Sequence, residues 1–329
     1  MSVHLRPLVN RLAGHRLLVV GDVCLDEYLI GRPERLAREA PVPVLDLVRR
    51  DVVPGAAANP AINAQALGGT ARLVAVVGDD PAGHELRERL AANTIDVTGL
   101  VVDPDRQTSL KTRVMADTDL RVMQQIARID RGSRAPLSEA VRGALLREVE
   151  QAIPEVDIVL VSDYRAGVLD NQTIAAIGRA SRGASRPVVV DSQGDLWRFA
   201  GYTLVRSNRP DAEATLRRSL ATDSDFEQAT AELRNKLGAQ SIVITRGAGG
   251  VAVRSARGFC ALAAANRSEV FDAVGAGDTV IAVLALATAA GIDAIDAARL
   301  ANVAAGLVVR RFGNAVTTPE ELAAAVEDT

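Results

Sequence analysis

Short β-branched runs alternating with helical stretches predict an α/β fold, a parallel sheet covered on both faces by helices with a small β flap beside it. The runs at 17–21, 71–78, 157–162, 187–191, 202–205 and 241–245 read as strands. Most are apolar on both faces, as expected of strands buried between two helical layers. Helical spacers of about 10–15 residues between them imply right-handed βαβ units and hence parallel pairing. Two segments, 42–52 and 107–130, break the rhythm with mixed polar and apolar positions. They fit an antiparallel flap, a lid over one edge of the site, with insertions at about 27–53 and 107–130. With no low-complexity linker or repeat, the flap reads as an excursion from one domain, 1–329.

The helices of the C-terminal half follow the same logic. The stretch from Asp278 to Ala290 is apolar nearly all round and ends at Gly291, a suitable residue for a helix C-terminus. A second such helix, 297–311, stops before Gly313, and both are expected to be buried. The first is too short to cross a bilayer, which takes about 20 apolar residues.

Composition narrows the function classes. The 329 residues are 48% hydrophobic and 24% charged, enough to build a large core. A net charge of −3 argues against a nucleic-acid partner, which would call for a basic surface. Cys24 and Cys260 form neither a CxxC pair nor a ligand cluster, so no disulfide framework or zinc site is indicated and a reducing cytoplasm fits best. The first 16 residues carry His4, Arg6, Arg11, His15 and Arg16 without an apolar core, unlike a signal peptide.

The segment Asp272-Ala-Val-Gly-Ala-Gly-Asp278 carries the chemistry. Gly275, Ala276 and Gly277 stand directly before an apolar helix, where small residues let an anion approach the free N–H groups of the first turn. A carboxylate at Asp278 beside such an anion hole is unfavourable unless it has a task. Taking a proton from an attacking hydroxyl during phosphoryl transfer is the natural one. The competing reading is a plain helix cap.

This segment resembles the C-terminal signature of the PfkB/ribokinase family of carbohydrate kinases, and the stretch from Pro54 to Gly68 resembles its N-terminal one, more than 200 residues upstream. The resemblance implies a ribokinase-like three-layer α/β/α fold with a β lid, ATP and Mg²⁺ as co-substrate and metal, and a homodimer formed through the lid. Within the family the chain looks most like the heptose 7-phosphate kinases, on Val20 to Asp26, Glu39 to Val44, Lys111 to Val114, Gln125 to Asp130, Ser162 to Tyr164 and Thr317 to Pro319. Those enzymes phosphorylate the C1 hydroxyl of D-glycero-D-manno-heptose 7-phosphate. Another sugar, a nucleoside or a small cytidylyl metabolite is the alternative acceptor, and a non-catalytic binding protein a third reading.

Residue by residue, the resemblance makes Asp26, at the end of the first strand, a ligand of sugar hydroxyls, with Gly55, Asn59 and Asp163 around the same substrate. For Asn59, sugar contact competes with capping a helix that starts near Pro60. Lys111 and Arg113, two apart on one strand face, suit a substrate phosphate. Asn208, with Asp211 and Glu213, falls where the family holds Mg²⁺ through water. Thr245, Gly247 and Gly250 match the turn before a nucleotide-binding hairpin, and Asn302 and Gly306 a helix bordering the adenine. The chain departs from its nearest relatives at Gln193 and Ala166, usually lysines, at Ala273, usually threonine, and at Ala56, usually glycine. Arg165 carries a charge one position from the usual one.

Overall fold

A computed structural model describes residues 5–117, 123–266 and 272–326. The centre of the second flap segment, 118–122, and His4 lie outside the described residues.

The strands are β1 (Arg16–Gly21), β2 (Val23–Leu36), β3 (Pro43–Ala56), β4 (Thr70–Gly78), β5 (Leu100–Asp103), β6 (Ser109–Ala116), β7 (Gln124–Arg131), β8 (Ile158–Asp163), β9 (Val188–Ser192), β10 (Leu204–Asn208), β11 (Ser241–Thr245), β12 (Val251–Ser255) and β13 (Gly258–Leu262). Nine of them form one sheet in the order β13-β12-β11-β10-β9-β8-β1-β4-β5. From β5 to β11 every pairing is parallel, and the last two, β11–β12 and β12–β13, are antiparallel.

The two-sided burial expected of such strands is visible in β1. Leu17 and Val19 enter one core, Leu18 and Val20 the other, in the period of two that a strand imposes. The first core lies under helices Ala58–Ala66, Ala276–Ala289 and Ala294–Val308, and the second under Glu139–Ala152, Asn171–Gly183 and Asp223–Leu237. Helix Ala276–Ala289 buries every residue from Thr279 to Ala287, which explains why its sequence shows no polar face. No described helix is long and apolar enough to cross a membrane.

The flap is a second sheet in the order β3-β2-β6-β7. Its two hairpins are antiparallel, but they meet along β2 and β6 in parallel. The wholly antiparallel flap expected from sequence is therefore corrected. The chain leaves the core twice in the same direction, so the outgoing strands of the two hairpins lie side by side with the same polarity. The same geometry moves Asp26. It lies within lid strand β2, not at the end of β1.

Parallel strands point their C-terminal ends to one edge, where such sheets place their ligands. Asp22 follows β1, and Asp163, Ser192, Asn208 and Thr245 end β8, β9, β10 and β11. The lid rises from this edge. Ala56, at the foot of β3, takes φ +54. That left-handed backbone costs an alanine about 1–2 kcal/mol and a glycine almost nothing, which explains why glycine is usual there.

Candidate active site

Gly275 caps helix Ala276–Ala289 from the left-handed region, at φ +79. Among the described residues the N–H groups of Gly277 and Asp278 have no backbone acceptor and remain available to an anion. Arg206 lies behind this turn, its Nη2 only 2.9 Å from where a Cβ on Gly277 would stand. It adds positive charge from below while its own donors are engaged by Asp191 Oδ1 at 2.7 Å and Thr245 Oγ1 at 2.8 Å.

Both oxygens of Asp278 are held. Tyr164 donates its hydroxyl to Oδ1 at 2.5 Å, and Asn59 Nδ2 donates to Oδ2 at 2.6 Å. Asn59 is fixed in turn, because Asn63 Nδ2 donates to its Oδ1 at 3.0 Å and Thr279 Oγ1 donates to Asn63 Oδ1 at 2.7 Å. Helix Ala58–Ala66 starts before Asn59 and takes no side-chain cap, so the capping role weighed for Asn59 is not the one it has. Desolvation pushes the Asp278 carboxyl up to about 6, Asp191 adding to the rise while Tyr164, Asn59 and Arg206 oppose it. A carboxyl so tuned is half ionised near pH 6 and mostly ionised at neutrality, ready to take a proton.

A pH profile follows from this. A base works only when ionised, so turnover is expected to fall as pH drops through about 6. Tyr164→Phe removes a donor that stabilises the carboxylate and is expected to shift this acid limb to higher pH. A limb that stays in place in the variant would mean another group sets it.

Asp22 positions Tyr164. Its buried carboxylate accepts the N–H groups of Tyr164, Ala166 and Val168 at 2.9, 3.0 and 3.1 Å and so shapes the loop after β8. Asp163 has a similar task. It is fully buried and accepts from Arg198 Nη1, Ser192 Oγ and the Arg165 N–H at 3.0, 3.1 and 3.0 Å. These partners consume the carboxylate, so Asp163 braces the site and does not face the substrate as expected.

On the lid side, Arg113 Nη1 donates to Asp26 Oδ1 at 2.6 Å, and Asn314 Nδ2 donates to Oδ2 at 3.5 Å. Gly55 makes room for this carboxylate, since a Cβ there would stand 2.1 Å from Oδ2. Arg113 thus spends Nη1 on Asp26, the residue expected to hold the sugar hydroxyls. Lys111 stands apart, its Nζ 5.4 Å from the centre of the Tyr164 ring. It lines a cavity of about 430 Å³ together with Cys24, Ser109, Arg131, Ser133, Arg134 and Tyr164, and Asp130 is the acidic side chain of its lid wall. Lys111 and Arg134 line the cavity next to the tyrosine that touches Asp278, whereas Arg131 stands opposite Leu110 in the strand register, on the other face of the lid, towards Glu27.

The remaining candidates divide. Asn208 caps helix Arg209–Leu216 by accepting the Asp211 N–H at 2.8 Å. Burial and the charge of Asp191 raise the Asp211 carboxyl, so a cation beside it would be welcome. Glu213 is corrected, because its Oε1 accepts from Arg209 and from the Leu220 N–H at 2.9 and 2.7 Å and ties down the end of its own helix. Gly247 and Gly250 both have positive φ in the turn between β11 and β12. Asn302 Nδ2 donates to Ala263 O at 2.7 Å, and Gly306 O accepts from Asn266 Nδ2 at 3.3 Å, so both support the strand that leaves β13. Reading the sequence missed Asp22, Asn63, Tyr164 and Arg206. Asn63 stood one helical turn from Asn59, and Arg206 was a lone charge in an apolar strand, each a usable signal.

A desolvated carboxylate at a helix N-terminus, beside a lysine-lined cavity under a β lid on a parallel sheet, fits a small-molecule phosphotransferase. Residues 15–321 match the pfkB family carbohydrate kinase model, and the chain belongs to that family. It is 39% identical over 320 residues to bifunctional protein HldE of Trichlorobacter lovleyi, covering 97% of this chain and 64% of that protein. The HldE of Geobacter metallireducens is 40% identical over 306 residues, 93% of this chain and 61% of its own. The chain thus spans a little under two thirds of these relatives. The fold is also that of Escherichia coli phosphofructokinase-2 in complex with potassium, with a TM-score of 0.80 at 18% identity over 96% and 99% of the two chains. Arabidopsis thaliana ribokinase complexed with ribose and ATP gives a TM-score of 0.75 at 18% identity over 95% and 99%.

Proposed function

We propose that this chain transfers the γ-phosphoryl group of ATP to a hydroxyl of a phosphorylated sugar, with the C1 hydroxyl of D-glycero-D-manno-heptose 7-phosphate as the acceptor. The observation that carries this reading is the cavity in which Lys111 and Arg134 stand beside Tyr164, whose hydroxyl reaches Asp278. Two cations suit a dianionic phosphate at one end of the sugar, while the base waits at the other. The resemblance of the chain's motifs to those of heptose 7-phosphate kinases supports a heptose acceptor.

In the reaction, the acceptor hydroxyl gives its proton to Asp278 as its oxygen bonds to the γ-phosphorus, and the bond to the β-phosphate oxygen breaks to release ADP. The N–H groups that the turn leaves free, those of Gly277 and Asp278, bind the transferring group with Arg206 beneath them, while the Ala276 N–H donates to Ala273 O at 3.4 Å. Lid strands β2 and β6, which carry Asp26 and Lys111, cover the site and exclude water that would hydrolyse ATP. Mg²⁺ would neutralise charge on the phosphates. Asp211 fits it as a water-mediated ligand, being a desolvated carboxylate whose neighbouring charge favours a cation. No described cluster of three acidic, His or Cys side chains could hold a metal alone, so the phosphates would supply the rest of the coordination.

The lid carries the exposed apolar side chains Leu36, Leu47, Val48 and Ile129, between 54% and 65% accessible. Such a face calls for a cover, and a second copy of the chain bound lid to lid is the cover we propose. Leu47→Glu is expected to turn the dimer into a monomer in sedimentation analysis. Both cysteines are free, which suits the reducing cytoplasm where this enzyme would act.

The substrate reading is tested by comparing heptose 7-phosphate with unphosphorylated heptose. The phosphorylated acceptor is expected to be better in kcat/KM, and Lys111→Ala to raise its KM by about 10- to 100-fold while leaving the KM of the plain sugar in place. Equal use of both sugars by the wild-type chain would exclude the phosphate subsite.

A further inference from the structure

We infer that Arg165 is a phosphate-binding cation on the donor side of the site, held ready by a strained backbone; this rests on the phosphoryl-transfer reading above. Five described residues other than glycine have positive φ. Thr94, Ser185 and Arg217 lie at the C-terminal ends of helices, where a left-handed residue is ordinary. Ala56 and Arg165 do not, and both border the active site. Arg165 has φ +58 in the loop directly after β8. Such strain persists only where the surroundings impose it, and it concentrates at functional sites.

The surroundings are explicit. The Arg165 N–H donates to Asp163 Oδ1 at 3.0 Å, and the N–H groups of its two neighbours, Tyr164 and Ala166, donate to Asp22 Oδ2 at 2.9 and 3.0 Å. Two buried carboxylates therefore pin three successive amides. One result is the placement of Tyr164 on Asp278. The other is the direction of the Arg165 side chain, which crosses to the turn after β9. Its Cδ and Nη1 lie 2.7 and 2.8 Å from where a Cβ on Gly194 would stand, so glycine keeps this path open.

That path ends among the donor-side groups. The Asp211 carboxyl feels the charges of Arg165, Arg206 and Asp191 together, so the four share one neighbourhood at the ends of β9 and β10. Arg206 already donates there through Nη1 to Asp191 and through Nη2 to Thr245, and its Nε is buried out of a ligand's reach. Arg165 is exposed, and among the described residues its guanidinium has no hydrogen-bond or ion-pair partner. It is thus the cation of this group whose donors remain free. A planar guanidinium binds two phosphate oxygens at once, and the ligand that fits is the polyphosphate chain of a nucleoside triphosphate.

Two variants of the full chain separate charge from backbone. Arg165→Gly relieves the left-handed strain, so its Tm is expected to match or exceed that of the wild type. Arg165→Gln keeps the strain and loses the charge. Both are expected to lower kcat/KM for ATP by about 10- to 100-fold, with KM for the sugar acceptor unchanged. Wild-type kinetics for ATP in Arg165→Gln would overturn the inference, because a loss confined to Arg165→Gly would trace to loop geometry. A fall in activity that tracks a fall in Tm in both variants would overturn it too. Failure of the wild-type chain to phosphorylate any acceptor would instead refute the kinase reading itself.

Discussion

Asp278→Asn is expected to lower kcat by about 10²–10⁴-fold, the usual worth of a positioned general base. The variant keeps the shape of the site and loses only the ability to take a proton. An asparagine oxygen can still accept the Tyr164 hydroxyl, but its amide would face Asn59 Nδ2, a donor that now points at the Asp278 carboxylate. Asn59 cannot simply turn over, because Asn63 already donates to its Oδ1. One hydrogen bond is therefore lost, worth about 1 kcal/mol. Replacing a desolvated carboxylate with a neutral group offsets this. Tm is accordingly expected to move little while turnover collapses, as measured by calorimetry and steady-state kinetics on one preparation. Near-wild-type turnover would remove Asp278 from its role.

The largest stability effect is expected at Arg206. This guanidinium and the Asp191 carboxylate are both buried and 2.7 Å apart. Arg206→Met fills a similar volume but leaves Asp191 without its cation. Removing one partner of a buried pair costs about 3–5 kcal/mol, since an uncompensated charge stays in the interior. The loss should depend on pH. Burial already raises the Asp191 carboxyl above its ordinary value of 3.8, with Arg206 opposing the rise, so the variant raises it further. A carboxyl with a raised pKa in the folded state favours folding when protonated. Stability of the variant is therefore highest near or below the ordinary carboxylate value and falls as pH rises through the new one. Denaturant melts at pH 5 and pH 8 check this, with the larger deficit expected at pH 8. A deficit independent of pH would mean that the cost comes from packing.

The two signatures were legible because each is local. Gly275, Gly277 and Asp278 act through the helix they precede, and the sequence shows both the small residues and the apolar helix that follows. The parallel core was legible for the same reason, since strands such as β1 are apolar without a break from Leu17 to Val20. What could not be read is whatever depends on where a side chain ends. Asp163 and Arg113 are of the right type to bind a sugar phosphate, yet one is consumed by Arg198, Ser192 and the Arg165 amide, and the other spends Nη1 on Asp26. Those partners lie up to 87 positions away in the chain, and only the assembled fold brings them together. Tyr164 illustrates the converse. It resembles any loop aromatic until β8 and helix Ala276–Ala289, more than 100 residues apart, place its hydroxyl on Asp278. The lid misled in a third way, because strand polarity follows from how often the chain leaves the core and not from any residue in the strands.

Phosphorus NMR of the full chain with ATP, Mg²⁺ and D-glycero-D-manno-heptose 7-phosphate tests the account most directly. The predicted result is stoichiometric formation of ADP and a sugar bisphosphate whose new phosphorus couples to the anomeric proton, with both products formed about 10²–10⁴-fold more slowly by Asp278→Asn. Release of inorganic phosphate without a bisphosphate, or a new phosphate on any other carbon, would contradict it.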